Sequence, residues 1–293
     1  VNSPGSSPTH VPVNFPQTFL PDRRLLAQIL QFAAGGGGGD KVAIGAATGI
    51  PTGESTGKVE PIIRYAECMG LVAVAKDGNH WSLDATPLGR QVLAEDSFLS
   101  EPQTLWLLHL MLCRRHHLGV PAVGLGDAWF AVFCEAKYRL GGQLTAHAVH
   151  SLLVERYGDK GYLKPLAGVI LRTYQEEGCL ARIPVLKADS GQDGACQRLV
   201  VPATPDMFPS YAAFLYLYWD ELFPNDTQVA LDTFTSEGRW IELFVWQESD
   251  MALFLDWMRD NQLLKVERYT GSPMITRLVG TKHVLGRIYR DLV

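Results

Sequence analysis

At 293 residues, with 47% apolar and 19% charged side chains, the chain is long enough for two ordinary domains or three small ones, and it is too apolar to be disordered throughout. A formal net charge of −5 excludes a uniformly basic nucleic-acid binder but leaves room for a local basic face. The longest apolar runs, Leu105–Cys113 and Tyr211–Trp219, fall far short of the ~20 residues that cross a bilayer, no basic segment followed by an apolar run opens the chain, and five cysteines without a C-x-x-C pair read as reduced thiols, so the expected setting is cytoplasmic.

Residues 1–20 hold Pro4, Pro8, Pro12 and Pro16 and no Lys, Arg, Asp or Glu, the composition of a mobile tail, with Phe15 and Phe19 placed to anchor its end. Asp22 caps a helix with apolar positions Leu25, Leu26, Ile29, Leu30 and Ala33, and the run Gly35–Gly39 ends it as a flexible connector. A short helix over Lys41–Thr48 and a turn through Gly57 lead to a third helix from about Lys58 to Cys68. Val59, Ile62, Ile63, Ala66 and Met69 set its phase, and Gly70 terminates it. Leu71–Ala75, the turn Lys76–Asn79 and His80–Leu83 form a hairpin, and Thr86-Pro87-Leu88-Gly89 opens another helix.

Three helices followed by a hairpin is the winged-helix order, in which the helix before the hairpin enters a DNA groove. That phase turns Lys58, Glu60, Arg64 and Glu67 outward and makes Lys58, Arg64, Tyr65 and the hairpin's Lys76 the DNA-contact candidates. The helix-plus-hairpin pattern recurs at Leu163–Val201 and again at Ser249–Val279, where Ser249 is the expected cap. The expected fold is therefore mainly α with short β-hairpins, its winged-helix-like units joined by a helical middle segment. Its parts are a tail (1–20), an N-terminal winged-helix domain (21–100), a helical middle with a second winged unit (101–204) and a C-terminal winged-helix-like domain (205–293).

No zinc pattern exists: Cys113, His116 and His117 read as a polar helix end, since no second half of a ligand set follows. Gly53–Lys58 is not a phosphate loop, because Val59 stands where a hydroxyl would hold Mg²⁺ and no apolar strand leads in. The catalytic-looking acids are Asp84, Glu95, Asp96 and Glu101, with His109 on the following helix. Asp96 and Glu101 are the expected ligands of a divalent metal, Mg or Mn, and His109 the group that orients or deprotonates water. The alternative makes the two acids helix caps and His109 a core histidine. The aromatic residues of Tyr211–Trp219 and Trp240–Trp257 read as core. Residues 205–259 carry 2 basic and 10 acidic side chains, whereas 260–293 carry 6 and 3, so Lys265, Arg268, Arg277, Lys282, Arg287 and Arg290 form a second candidate basic face.

Four pieces of sequence carry a family resemblance: Ile62–Val72, Thr86–Gly89, Glu101–His109 with an aromatic residue inside its apolar run, and the doublet Trp129-Phe130. Together they resemble the SspB-type family of bacterial DNA phosphorothioation systems, best over Phe15–Phe133. The resemblance implies a DNA-nicking component of phage defence. It would act with a cysteine desulfurase, an ATPase and an ATP-pyrophosphatase-type enzyme. Arg64, Tyr65, Asp96, Glu101 and His109 are the residues it carries over. One element departs: Phe15-Pro16-Gln17-Thr18-Phe19 keeps Thr18 and Phe19 but lacks the His and the acid that open many members. A non-catalytic winged-helix DNA-binding adaptor and a transcriptional regulator are the alternatives.

Overall fold

The computed structural model describes residues 11–53, 57–140, 142–189, 194–267 and 271–290. The first unit runs α1 (Arg23–Ala34), β1 (Gly38–Gly39), α2 (Lys41–Thr48), α3 (Val59–Cys68), β2 (Val72–Asp77), β3 (His80–Ala85) and α4 (Pro87–Glu95). Asp22 caps α1 as expected, its Oδ1 accepting from the Arg24 and Leu25 amides at 2.9 and 3.3 Å. The glycine run is not a loose connector. Gly38 and Gly39 pair with Ser82 and Trp81 as the edge strand of a three-stranded antiparallel sheet ordered β1-β3-β2. Glycine suits this close approach, because a Cβ on Gly38 would sit 3.0 Å from the Trp81 carbonyl oxygen and force the strand to give.

The Thr86–Gly89 motif has a structural cause. The Thr86 hydroxyl donates to the Gly70 carbonyl at 2.7 Å and accepts from the Gly89 amide at 2.9 Å, which caps α4. A Cβ on Gly89 would lie 2.0 Å from the Leu71 carbonyl oxygen, so only glycine lets α4 seat on the start of β2.

The middle segment begins with α5 (Pro102–Cys113), buried from Gln103 to Cys113, and continues through the two-residue strands β4 (Arg115–His116) and β5 (Val123–Gly124). Next come α6 (Asp127–Phe130), a π-helical turn over Ala131–Glu135 and α7 (Lys137–Leu140). A second unit follows with β6 (Gln143–Thr145), α8 (Ala146–Tyr157), α9 (Leu163–Arg172), β7 (Leu186–Ala188) and β8 (Ala195–Arg198), its sheet ordered β6-β8-β7. The third comprises α10 (Phe208–Leu222), β9 (Gln228–Ala230), α11 (Leu231–Gly238), α12 (Trp240–Phe244), α13 (Glu248–Asp260), β10 (Leu264–Glu267), β11 (Met274–Arg277) and α14 (Thr281–Leu285). Its sheet is ordered β10-β11-β9. In each unit a short strand, helices and a hairpin succeed one another, and the last strand lies central, between the other two. The cap of α13 is Gln247, in a reciprocal capping box with Asp250, rather than Ser249.

One apolar core runs from Val11 and Phe15 to Ile288 and Tyr289. Residues 11–20 of the expected tail belong to it: Phe15 meets the Tyr65 ring edge-on at 4.9 Å, and the Tyr65 hydroxyl donates to the Phe19 carbonyl. Residues 1–10 lie outside the described residues. At the other end, the Tyr289 hydroxyl bonds Thr104 on α5 at 2.7 Å. The aromatic residues of α10 and of Trp240–Trp257 form a packed network, including Tyr211 against Phe244 and Phe244 against Trp246. No helix among the described residues is long and apolar enough to cross a membrane.

Candidate nucleic-acid interface

The third helix does not present a reading face. From Val59 to Cys68 every residue of α3 except Glu60 is buried. Arg64 is 5% exposed, bonds Glu67 at 2.6 Å and lies 4.8 Å over the Trp81 ring. Tyr65 is wholly enclosed between Phe15 and Trp129. Of the expected DNA contacts, Arg64 and Tyr65 are thus corrected to core residues: Trp81 of the hairpin covers Arg64, and Phe15 and Trp129 enclose Tyr65. Lys58 and Lys76 do reach the surface. Lys58 stands at the start of α3 near the Phe19 ring, and Lys76 lies over Trp81 and 3.6 Å from Glu60, which also bonds Lys41. Part of the turn before Lys58, Glu54–Thr56, lies outside the described residues.

The acids and the histidine do not converge either. Both Asp96 oxygens accept from the Ser100 amide at 2.9 Å. One also takes the Ser100 hydroxyl at 3.1 Å, and the other the Glu101 amide at 3.0 Å. This buried carboxylate is a staple across the turn between α4 and α5, with both its oxygens engaged by the amides of Ser100 and Glu101 and the Ser100 hydroxyl. Glu101 is the N-cap of α5 and makes no side-chain cap bond. His109 is eight residues further on, about 12 Å along the helix axis at ~1.5 Å per residue, and is 1% exposed. Its Nδ1 bonds the Tyr174 hydroxyl at 2.8 Å, and its ring meets Phe133 and Trp106 edge-on. Burial lowers its pKa from 6.5 to about 3, with Arg198 adding to the effect, so the imidazole is neutral. The expected metal set therefore does not fit a cation. Among the described residues no group of three or more His, Cys, Asp or Glu is placed to hold a metal.

Several cations are spent internally. Arg114 bonds Glu221 at 2.6 Å and the carbonyls of Cys68 and Met111, and His116 bonds the other Glu221 oxygen. Burial alone would raise the Glu221 pKa, but Arg114 and His116 outweigh it and bring the carboxyl to about 2. In the expected C-terminal basic face, Arg277 pairs with Asp220 and stacks on Trp219, Arg287 bonds Asn261, and Lys265 pairs with Glu267. Arg268 lies outside the described residues, and Lys282 and Arg290 are exposed.

A concentration of positive charge that sequence pattern did not indicate lies elsewhere. A cleft of about 680 Å³ opens between the start of α1, the turn joining α4 to α5 and the segment Gly178–Arg182. Arg23, Arg24 and Arg182 line it, with Asp22 as its one lining carboxylate and Phe98 at its edge. Among the described residues none of these arginines forms a salt bridge. Arg23 donates to the carbonyls of Leu99 and Glu177 at 3.0 and 2.8 Å, and its Nε is buried without a partner. Burial lowers the Arg23 pKa, and the neighbouring Arg182 lowers it further. The nearby Asp96 and Glu177 carboxylates offset part of the repulsion between these guanidinium groups, and a bound anion relieves more of it. The Arg23-Arg24 doublet was a visible signal, but Arg182 is brought to it only by the tertiary fold.

Two solved structures share this architecture. A crystal structure of SspB with bound magnesium ion superposes with a TM-score of 0.71 at 15% identity, covering 95% of this chain and 87% of that one. A second SspB crystal structure gives 0.69 with the same identity and coverage. The chain has an SspB-type fold. No family model matches the sequence, and no curated protein does.

Proposed function

We propose that this chain is the DNA-engaging component of a phosphorothioation-type defence system, and that the arginine cleft is where it holds the DNA backbone. The observation that carries the proposal is the grouping of Arg23, Arg24 and Arg182 in one cleft without salt-bridge partners, in a chain whose net charge is −5. A protein repelled by DNA overall needs such a local site, and arginine forks match phosphate oxygens in pairs. The SspB-type fold supplies the setting. The thrice-repeated strand–helix–hairpin order with a central last strand supports reading the units as winged helices. With α3 buried, those units serve as scaffold, and contact passes to the cleft and to Lys58 and Lys76. Partners of the same machinery, a cysteine desulfurase, an ATPase and an ATP-pyrophosphatase-type enzyme, belong to the proposal.

The nicking reading is favoured by one observation, the magnesium in a structural neighbour. In this chain Asp96, Glu101 and His109 do not form the cation site it needs, so nicking would have to draw on other donors. One assay on supercoiled plasmid separates the two activities. Retarded mobility without conversion to open circle, with or without Mg²⁺ or Mn²⁺, is the outcome for a binding component. Metal-dependent open circle that survives Asp96→Asn and His109→Gln establishes nicking from a different site. Absence of any plasmid binding at low salt overturns the proposal.

A further inference from the structure

The turn joining α4 to α5 holds its two apolar residues in opposite settings. Leu99 is fully buried, whereas its neighbour Phe98 is 80% exposed at the edge of the arginine cleft. The backbone is what divides them. Leu99 has φ +51, the left-handed region that costs a residue with a side chain about 1 kcal/mol or more. Three contacts hold it there. The Leu99 amide donates to the Asp96 carbonyl at 3.0 Å, the Asp96 carboxylate ties down the next two amides, and Arg23 grips the Leu99 carbonyl at 3.0 Å. A buried anchor, a stapled turn and an arginine from the cleft thus combine to keep one phenyl ring in solvent. A single exposed phenylalanine is ordinary on a protein surface, but one set beside three clustered arginines gives the cleft a flat apolar platform next to its positive charge.

We infer that the cleft takes an unpaired nucleotide of a DNA strand, with its phosphates on Arg23, Arg24 and Arg182 and its base stacked on Phe98. The inference rests on the proposal that the cleft holds DNA, and it names the form of DNA held. The observations favour this occupant over an acidic protein segment, because a guanidinium cluster beside an exposed aromatic ring on a stapled turn matches the alternation of phosphate and flat base along a single strand. Bases within an intact duplex are stacked on both faces and offer none to Phe98. The cleft's volume of about 680 Å³ lies within the range of roughly 300–1,000 Å³ typical of small-ligand sites. In this arrangement Asp96 and Leu99 are positioning residues.

Fluorescence anisotropy with two labelled 12-mers of equal phosphate count tests this: oligothymidylate, and a strand of abasic residues. The full chain is compared with Phe98→Ala, Phe98→Trp and the pair Arg24→Glu/Arg182→Glu, all at exposed positions. Phe98→Ala is expected to weaken oligothymidylate about 5- to 150-fold and leave abasic binding unchanged. Phe98→Trp should restore oligothymidylate binding, and the arginine pair should weaken both strands. If Phe98→Ala binds oligothymidylate as the parent does, or loses both strands equally, the stacking inference is overturned while the phosphate site stands. If the arginine pair leaves both strands bound as before, the underlying DNA-cleft proposal fails as well, and an acidic protein segment becomes the better occupant.

Discussion

His109 provides a quantitative test of whether the apolar helix α5 is core or chemistry. In the unfolded chain its imidazole titrates at the ordinary value of 6.5, and in the folded protein burial brings it to about 3. A proton therefore binds the unfolded state first, so the group's contribution is complete above pH 6.5 and is lost as pH falls toward 3. The loss is on the order of 1 kcal/mol at pH 5.5 and grows to roughly 3 kcal/mol by pH 4.5. That is a large part of the ~5–15 kcal/mol that holds a typical protein folded. Urea unfolding at pH 7.5, 5.5 and 4.5, compared between the parent and His109→Gln, isolates the effect. The variant is less stable at pH 7.5, since Tyr174 loses its ring partner, but its stability should fall less steeply with acid. Equal steepness in the two proteins would refute the buried, neutral histidine. It would also reopen a role for His109 in proton transfer, which a ring sealed among Trp106, Phe133 and Tyr174 does not permit.

Other substitutions probe the packing directly. Gly89→Ala places a methyl 2.0 Å from the Leu71 carbonyl oxygen and should cost about 3 kcal/mol or more in urea unfolding, because a backbone atom rather than a flexible side chain must move. Glu221→Gln should lower stability at pH 7 by about 3 kcal/mol. The carboxyl is held at about 2 against 4.5 unfolded, so the gap between parent and variant is full above pH 4.5 and closes as pH falls toward 2. Arg64→Ala should also lower stability by about 3 kcal/mol, through loss of its ion pair and its stack on Trp81, while the folded protein binds DNA as before. Weakened DNA binding with unchanged stability would return Arg64 to the surface.

The elements legible in the sequence were those with local causes. The Asp22 cap, the stop at Gly70, the hairpin after α3 and the hairpins near both later helices follow from capping, turn chemistry and period. The first strand of each unit was not legible, because two or three residues carry no periodicity. Gly38–Gly39 carries the opposite signal, since glycine reads as freedom whereas here it permits close approach to Trp81. The family-like pieces, Ile62–Val72, Thr86–Gly89 and Glu101–His109, mark the fold rather than a site. They supply a helix buried between sheet and α5, a capped close contact, and α5 itself. Arg64 misled because helical phase treats a charged residue as outward, whereas the ring of Trp81 and the Glu67 carboxylate receive it inside. Asp96 misled because only the three-dimensional turn shows its oxygens spent on Ser100 and Glu101. The cleft stayed hidden because Arg182 is more than 150 residues from Arg23 in sequence and becomes its neighbour only through packing.

The most direct test of the account is the salt dependence of oligothymidylate binding by the parent and by Arg24→Glu/Arg182→Glu. Each lost phosphate contact should reduce the magnitude of the slope of log K against log salt concentration by about 0.7 on a single strand, so the double variant should bind more weakly and its slope should flatten by roughly 1.4. An unchanged affinity and slope, with the variant folded, would contradict the assignment of DNA to the arginine cleft.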